Sequence, residues 1–301
     1  MNHLLTLFDL SKKEILDVIN SSNKLKNNPK KNNKLNNKTL GLLFSKPSTR
    51  TRLSFEVAIS QLGGNSVFLN SSDLQLSRGE TIEDTAKTLS VYLDVLAARV
   101  YNHDDLVKIA NISTIPIINA LSDTNHPCQA LSDLQTIQET KGKLSGLKIA
   151  WVGDVNNVCR DLMIGAVKVG MDFSIACPKK YQPSKASMSP IYDLSSGNSI
   201  TISENPISVI NNADVVVTDR FISMGSEKIA KSKLSEFLPK YTITKSLLSN
   251  AKNDVIFMHC LPSNRGEEVT SEVLDSSCSV VWKQVENKLF THKALLLKLL
   301  G

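Results

Sequence analysis

The alternation of short apolar runs with segments of helical periodicity is the feature that most limits the fold of this chain. Ten runs of four to eight residues predict buried strands, at 39–44, 66–69, 94–101, 114–120, 147–154, 172–178, 199–202, 213–219, 254–260 and 279–282. Continuous apolar strands that alternate with helices are typical of parallel sheets covered on both faces. Because ten strands are many for one sheet, we predict an α/β fold with two doubly wound parallel-sheet domains.

The length of 301 residues also suits two domains of ordinary size. We expect the first at 1–135 and the second at 136–301, with the boundary in the helix at about 130–145. The last helical stretch, 284–300, is expected to pack back onto the first domain. Ligands of such folds bind beyond the carboxyl ends of the strands, so an active site is predicted in the cleft between the domains.

Composition and charge exclude several classes of protein. Hydrophobic residues make up 41% and charged residues 21%, which is typical of a globular protein with a core. No apolar run reaches the roughly 18 residues of a membrane span, and the first 19 residues do not resemble a signal peptide. The net charge of +6 is concentrated in the lysine-rich stretch 24–38, which lacks arginine and aromatic residues and therefore predicts a solvated loop rather than a nucleic-acid site.

The five cysteines lie at scattered positions without CxxC spacing. This pattern argues against a disulfide framework or a structural zinc site. It indicates a reducing compartment, and a cytoplasmic location is expected.

The stretch "FSKPSTRTRLSFE" at 44–56 passes from a predicted strand into a predicted helix. Pro47 favours a helix start directly after it, Ser48 can cap that helix, and Gly63 and Gly64 end it. Backbone N–H groups, hydroxyls and Arg50 at one helix start form a site suited to a phosphate dianion. The alternative is an ordinary capped helix with arginines on the surface.

Other polar residues follow the predicted strands. Arg99, at the end of one run, either pairs with a buried carboxylate or points into a cleft. His126 can donate to a carbonyl and Gln129 can accept from an amine, although a lone histidine is more often structural. Cys260 ends another run, where a buried inert cysteine is the default, and Leu261–Pro262 is a candidate cis peptide.

The segment "WVGDVNNVCRDL" has the strand–turn–helix layout of a dinucleotide fold. It carries Asn156 and Asn157 where that fingerprint has glycines, so a nicotinamide cofactor is disfavoured. No HExxH, Walker or GxSxG pattern is present.

Taken in order, "STRTR", "HPCQ", "TDRFISMGSE" and "HCLPSNRGEE" resemble the aspartate/ornithine carbamoyltransferase family over nearly the whole chain. The "SMG" after Asp219 resembles the ornithine-binding loop of that family rather than the aspartate-binding one. The resemblance implies transfer of a carbamoyl group from carbamoyl phosphate to the side-chain amine of L-ornithine, giving L-citrulline and phosphate. It also implies a homotrimer or a multiple of trimers, and neither a metal nor an organic cofactor.

The resemblance assigns roles to three sets of residues. The carbamoyl phosphate ligands would be Ser48, Thr49, Arg50, Thr51, Gln75, Arg99, His126, Gln129, Cys260, Leu261 and Lys288. The ornithine ligands would be Asn157, Asp219, Ser223 and Met224. Arg99 and His126 would polarise the carbamoyl oxygen, and Cys260 would lie beside the attacking amine, so these three would be the catalytic residues.

The chain departs from the family pattern near both predicted substrates. Lys288 stands where the family usually has arginine, which keeps the charge but loses the bidentate fork. Arg160, Asp161, Arg220, Ser263 and Asn264 are unusual on the acceptor side. Alternative hypotheses are therefore another amine acceptor, such as putrescine or acetylornithine, or a carbamoyl phosphate-binding homologue without turnover.

Overall fold

The computed structural model describes residues 2–28, 33–195, 197–222 and 230–301. The strands in these residues are β1 (Thr39–Phe44), β2 (Asn65–Asn70), β3 (Val95–Arg99), β4 (Ile117–Leu121), β5 (Lys148–Val152), β6 (Asp172–Ala176), β7 (Ile200–Ser203), β8 (Val215–Thr218) and β9 (Ile256–His259). The α-helices are α1 (Lys12–Asn27), α2 (Thr49–Gln61), α3 (Ile82–Tyr92), α4 (His103–Ile112), α5 (Pro127–Lys141), α6 (Asn157–Val169), α7 (Lys185–Tyr192), α8 (Pro206–Ile210), α9 (Ala230–Phe237), α10 (Lys245–Leu248), α11 (Ser271–Leu274) and α12 (Val281–Leu300).

The chain divides into two compact units. One comprises Met1–Gln135 with Glu286–Gly301, and the other comprises Thr136–Val285. Each unit contains a parallel sheet, and these two α/β units confirm the predicted fold class. In the described part of the chain, no helix is both long enough and apolar enough to cross a membrane.

The first unit has the sheet order β2-β1-β3-β4. The strand order changes direction between β1 and β3, because β2 lies on one side of β1 while β3 and β4 lie on the other. β1, β3 and β4 are largely buried, whereas β2 is an exposed edge strand. The carboxyl ends of β1 and β3 therefore border a topological switch point, where ligands of such sheets bind.

The second unit has the sheet order β7-β6-β5-β8-β9, which places its switch point between β5 and β8. Its core includes the buried rings of Phe221, Phe237 and Tyr241. The rings of Phe221 and Phe237 stack with centroids 4.7 Å apart. This packing holds the segment that follows β8 and begins with Asp219.

Nine of the ten predicted strands are present, and the strand predicted at 279–282 is wrong. Ser279 makes one isolated bridge to Phe257 beside β9, and helix α12 then begins at Val281. Trp282 is 71% exposed, which a buried strand would not allow. A run of four apolar residues does not distinguish a strand from a helix start, and here the helix prevails.

Candidate functional site

The carboxyl ends of β1 and β3 are joined just before helix α2. The Ser45 N–H donates to the Arg99 carbonyl over 2.8 Å. Ser48 occupies the N-cap position, but its side chain makes no capping hydrogen bond, so the predicted cap is not made. A cleft of about 450 Å³ lies here. Ser48, Thr49 and Arg52 are among its lining residues, whereas the predicted ligands Arg50 and Thr51 do not line it. The first turn of α2 thus presents N–H groups and hydroxyls beside an open volume, as an anion site requires.

Arg99, His126 and Lys288 form a buried polar cluster in the same unit. All three are at most 5% exposed, although arginine and lysine are seldom buried. The register between β3 and β4 shifts at Ala98/Arg99, which sets Arg99 apart from the regular ladder. Burial, together with the positive charges of Lys288 and Arg99, holds the pKa of His126 well below its usual value. The cluster therefore combines two cations with a neutral imidazole.

Gln129 presents a buried acceptor in the first turn of α5. Its Nε2 donates to the Asp133 carboxylate over 2.7 Å, and its backbone N–H donates to the His126 carbonyl over 3.1 Å. Its side-chain oxygen is buried and accepts no hydrogen bond within the described residues. Because buried polar atoms are nearly always paired, this oxygen suits an N–H donor from a ligand.

His292 supports helix α2 from α12. Its Nδ1 lies 2.8 Å from the Ser54 hydroxyl, and its ring stacks on Phe55 with centroids 3.6 Å apart. The imidazole is fully buried, and burial followed by the charge of Lys288 holds its pKa well below its usual value. Helix α12, which carries Lys288, therefore packs against helix α2, whose start is the predicted phosphate site.

In the second unit, Asp219 directly follows β8 and is fixed by three donors. Its Oδ1 accepts from the Arg220 N–H over 2.8 Å and lies 3.1 Å from the Cys260 sulfur. Its Oδ2 accepts from the Asn156 amide over 2.7 Å. Asn156 is itself immobilised, because its Oδ1 caps α6 by accepting from the N–H groups of Val158 and Cys159. These bonds hold one carboxylate at the switch point of the sheet.

The turn after β5 packs closely against the segment after β8. Gly153 has a φ of +130°, and a Cβ at this position would lie 3.0 Å from the Phe221 ring. A side chain would therefore meet both backbone strain and a close contact. Glycine here keeps the turn near the Asp219 carboxylate.

The Cys260–Leu261 turn follows β9. Leu261 adopts a left-handed φ of +58°, which costs on the order of 1 to 3 kcal/mol for a residue other than glycine. The Leu261–Pro262 peptide is cis, as the sequence suggested. A residue in this conformation must be held by contacts with its surroundings. One of these contacts comes from His259, whose Nδ1 accepts from the Leu261 N–H over 2.8 Å.

Asp219, His259 and Cys260 have the atom types of a metal site, with their ligand atoms within 4.8 Å of one another. Both ring nitrogens of His259 are engaged, however, one by the Leu261 N–H and the other by the Glu268 carboxylate 3.1 Å away. A metal at this position would have to displace one of those hydrogen bonds. The arrangement is better suited to fixing a turn than to holding an ion.

Comparison with known proteins gives one family for both units. The carbamoyl-P binding domain of aspartate/ornithine carbamoyltransferases matches residues 2–139, and the Asp/Orn binding domain matches residues 145–299. The chain belongs to the aspartate/ornithine carbamoyltransferase family. This finding confirms the resemblance inferred from the motifs.

Full-length members of this family are similar to the chain in sequence and in fold. It is 48% identical to an ornithine carbamoyltransferase of Methanosarcina acetivorans over 300 residues, covering 99% of this chain and 98% of the relative. It is 48% identical to one of Bacillus subtilis, covering 97% and 92%. The solved ornithine carbamoyltransferase of Pyrococcus furiosus superposes with a TM-score of 0.94 at 45% identity, covering 98% of this chain and 96% of that one.

The family-derived ligands of the first unit fall into two neighbouring groups and one separate residue. Ser48, Thr49, Arg50 and Thr51 lie at the start of α2, and the buried group is Arg99, His126, Gln129 and Lys288. Gln75 is exposed at the start of a short 3-10 helix, Gln75–Arg78. Its backbone carbonyl accepts from the Glu80 N–H over 3.1 Å.

The family-derived ligands of the second unit are partly brought together. Asp219 and Cys260 are in contact, and Leu261 follows directly. Asn157 is the first residue of α6, next to the Asn156 that binds Asp219. Ser223 and Met224 lie outside the described residues.

Four residues near the candidate ligands were not assigned from the sequence. Asn156 carries a signal that could have identified it, because asparagine between a strand and a helix predicts an N-cap. His292 and the pair of His259 with Glu268 carry no such local signal, since their contacts depend on tertiary packing.

Proposed function

We propose that this chain transfers the carbamoyl group of carbamoyl phosphate to the side-chain amine of L-ornithine, giving L-citrulline and phosphate. The observation that carries the proposal is the full-length match to ornithine carbamoyltransferases at 48% identity, in which a carbamoyl phosphate-binding and an amino acid-binding family domain each correspond to one half of the chain. The geometry of each unit supplies chemistry that suits its half of the reaction.

The phosphate of carbamoyl phosphate is proposed to bind at the start of α2. Ser48, Thr49 and Arg52 line the cleft there. Thr51 is buried in the first turn, and Arg50 is placed among the phosphate ligands by family resemblance, since it does not line the cleft itself. The helix dipole and the N–H groups favour a dianion, and an arginine adds a full positive charge. The same groups stabilise phosphate as it leaves. Gln75 is proposed as a further ligand on family resemblance alone.

The carbamoyl group is proposed to contact the buried cluster. Arg99 and His126 donate to the carbonyl oxygen, where negative charge develops during attack, and such donors often supply a few kcal/mol each. A neutral His126 can still donate one N–H, which accords with its lowered pKa. The open Gln129 oxygen accepts from the carbamoyl amide, and Lys288 contributes a second cation.

The acceptor is proposed to bind in the second unit. Asp219 pairs with the α-ammonium of ornithine, helped by Asn157 and by Ser223 and Met224 of the family loop. Cys260, 3.1 Å from the Asp219 carboxylate, lies beside the attacking amine, and the Leu261 carbonyl faces the carbamoyl nitrogen. The amine must be unprotonated to attack.

Several properties of the family extend the proposal. We infer a role in arginine biosynthesis, because the relative from Pyrococcus furiosus, 46% identical, is named an anabolic ornithine carbamoyltransferase. We also propose a homotrimer in the cytoplasm, acting on carbamoyl phosphate and ornithine without a metal or organic cofactor.

An acceptor panel tests the proposal. The purified chain is incubated with carbamoyl phosphate and, separately, ornithine, putrescine, acetylornithine and aspartate, and the ureido product and phosphate are measured. Ornithine is expected to give the highest kcat/KM. A higher value for another amine would redirect the proposal to that acceptor, and carbamoyl phosphate binding without any product would indicate the homologue without turnover.

A further inference from the structure

The strand that delivers Cys260 ends in a buried acid–imidazole pair. His259 and Glu268 are both 0% exposed, and the His259 Nε2 lies 3.1 Å from the Glu268 Oε1. Neither residue belongs to the ligands proposed above. A buried ionisable pair directly beside two proposed ligands calls for a function.

The hydrogen bonds of His259 define which nitrogen carries the proton. A backbone N–H can only donate, so the Leu261 N–H, 2.8 Å from the His259 Nδ1, requires a lone pair on that nitrogen. The proton of the neutral ring must then reside on Nε2, where it is donated to Glu268. His259 therefore has no free nitrogen with which to relay a proton to Cys260, whose sulfur instead contacts Asp219.

Glu268 connects three segments around this ring. Its Oε1 accepts from the Asn264 N–H over 2.6 Å as well as facing His259, and its backbone carbonyl accepts from the Ile243 N–H over 2.9 Å. The His259 backbone N–H donates to the Gln284 side chain over 2.9 Å. Contacts from Asn264 in the loop, from Ile243 and from Gln284 at the start of α12 thus fix the position of the pair. The one acceptor of the imidazole, Nδ1, faces the Leu261 N–H.

We propose that Glu268 fixes His259 in the Nε2-protonated form so that Nδ1 holds the Leu261 N–H, and that both are positioning residues for the Cys260–Leu261 turn. The bond from Leu261 reaches back two residues and holds a left-handed backbone that leucine does not favour. It thereby sets the direction of the Leu261 carbonyl and the placement of the Cys260 thiol. The inference rests on the proposed function, because it assigns these two groups to carbamoyl transfer.

Two amide substitutions separate the two contacts of His259. In His259→Asn the side-chain oxygen lies at the level of Nδ1 and can still accept from Leu261, but the contact with Glu268 is lost. In His259→Gln the amide reaches the level of Nε2 and can still donate to Glu268, but nothing accepts from the Leu261 N–H. We expect His259→Asn to have the lower melting temperature and nearly normal kcat. We expect His259→Gln to be the more stable of the two, with kcat reduced about 10- to 100-fold by the misplaced turn.

Glu268→Gln is the matched control, because its amide oxygen can still accept from His259 and Asn264. Its kcat is expected to stay close to that of the unsubstituted chain. A purely structural pair predicts instead that kcat and melting temperature fall together in all variants. That parallel loss, or full activity in His259→Gln, would overturn the proposal.

The tautomer is measured without any substitution. Long-range proton–nitrogen correlation spectra of the intact chain, labelled with carbon-13 and nitrogen-15, should show His259 protonated on Nε2 and bare on Nδ1. The ring signals are assigned through sequential backbone correlations. Protonation on Nδ1 would refute the positioning bond even if no variant folds. A chain that makes no citrulline but shows this tautomer would instead count against the proposed function.

Discussion

Replacing Asp219 with asparagine isolates the charge that is proposed to bind the α-ammonium of ornithine. The substitution keeps the shape of the side chain and removes one negative charge. A hydrogen bond between charged groups contributes about 1.5 to 3 kcal/mol, so the KM for ornithine should rise about 10- to 150-fold. The KM for carbamoyl phosphate should change little, because its proposed phosphate ligands lie in the other unit.

The same variant should lose stability by a second route. Asn156 cannot rotate its amide to suit a new partner, because its oxygen caps helix α6. In Asp219→Asn, the new NH2 group would face either the Asn156 NH2 group or the Arg220 N–H. Either orientation places two donors against each other. These donors are only partly buried, so one that is left unpaired should cost no more than about 1 kcal/mol, which corresponds to a fall in melting temperature of roughly 2 to 4 °C.

Asp214→Asn is the matched control at the opposite end of β8. Asp214 is a carboxylate bonded to two groups, Lys252 over 2.7 Å and the Lys148 N–H over 2.9 Å, and it is more deeply buried than Asp219. It should lower the melting temperature comparably while changing the KM for ornithine by less than about twofold. Steady-state kinetics with each substrate varied in turn provides the measurement. An equal rise in both KM values for Asp219→Asn, or an equal rise in the ornithine KM for the control, would refute the reasoning.

Three further predictions concern the first unit. Arg50→Ala should raise the KM for carbamoyl phosphate about 10- to 150-fold. Arg52 lines the cleft, but Glu56 and Phe68 engage its side chain, so Arg52→Ala should change this KM by less than about threefold. An equal or larger effect of Arg52→Ala would move the phosphate site from Arg50 to Arg52. Lys288→Arg should tighten carbamoyl phosphate binding about threefold, because arginine restores a bidentate fork. Calorimetry measures this affinity, and weaker binding would show that the site accommodates lysine better than arginine. Because burial lowers the pKa of His126 and of His292 in the folded chain, the unfolded chain takes up protons first as the pH falls. Stability is therefore retained above a pH of about 6.5 and lost below it, by about 1 kcal/mol per histidine down to a pH of about 5.5. Urea unfolding at the two pH values measures this loss, and His292→Gln should remove about half of it; a loss that is unchanged in that variant would contradict the assignment.

The strands were predictable because buried parallel strands are apolar throughout, and nine of the ten predicted runs form them. The run at 279–282 misled because only one bridge, at Ser279, continues the strand pattern before α12 begins. Ser48 was predicted to cap α2, yet its side chain makes no capping bond. Propensity alone does not reveal that a hydroxyl is left for another partner.

The supporting contacts of the candidate site could not be predicted. Ser54 and His292 are 238 residues apart in sequence, and their contact depends on α12 packing against α2. His259 and Glu268 are only nine residues apart, but their pairing depends on the loop between them folding back. Local patterns identify residues at strand ends, whereas burial and partners of side chains follow from tertiary packing.

The most direct test of the central claim follows the carbamoyl carbon itself. Carbamoyl phosphate labelled with carbon-13 at the carbonyl is mixed with the purified chain and ornithine, and carbon NMR is recorded while released phosphate is measured. The account predicts that the label appears in the ureido carbon of citrulline in equal amount to the phosphate. Release of phosphate with the label recovered only as carbonate or cyanate would contradict it, because the chain would then break down carbamoyl phosphate without transferring the group.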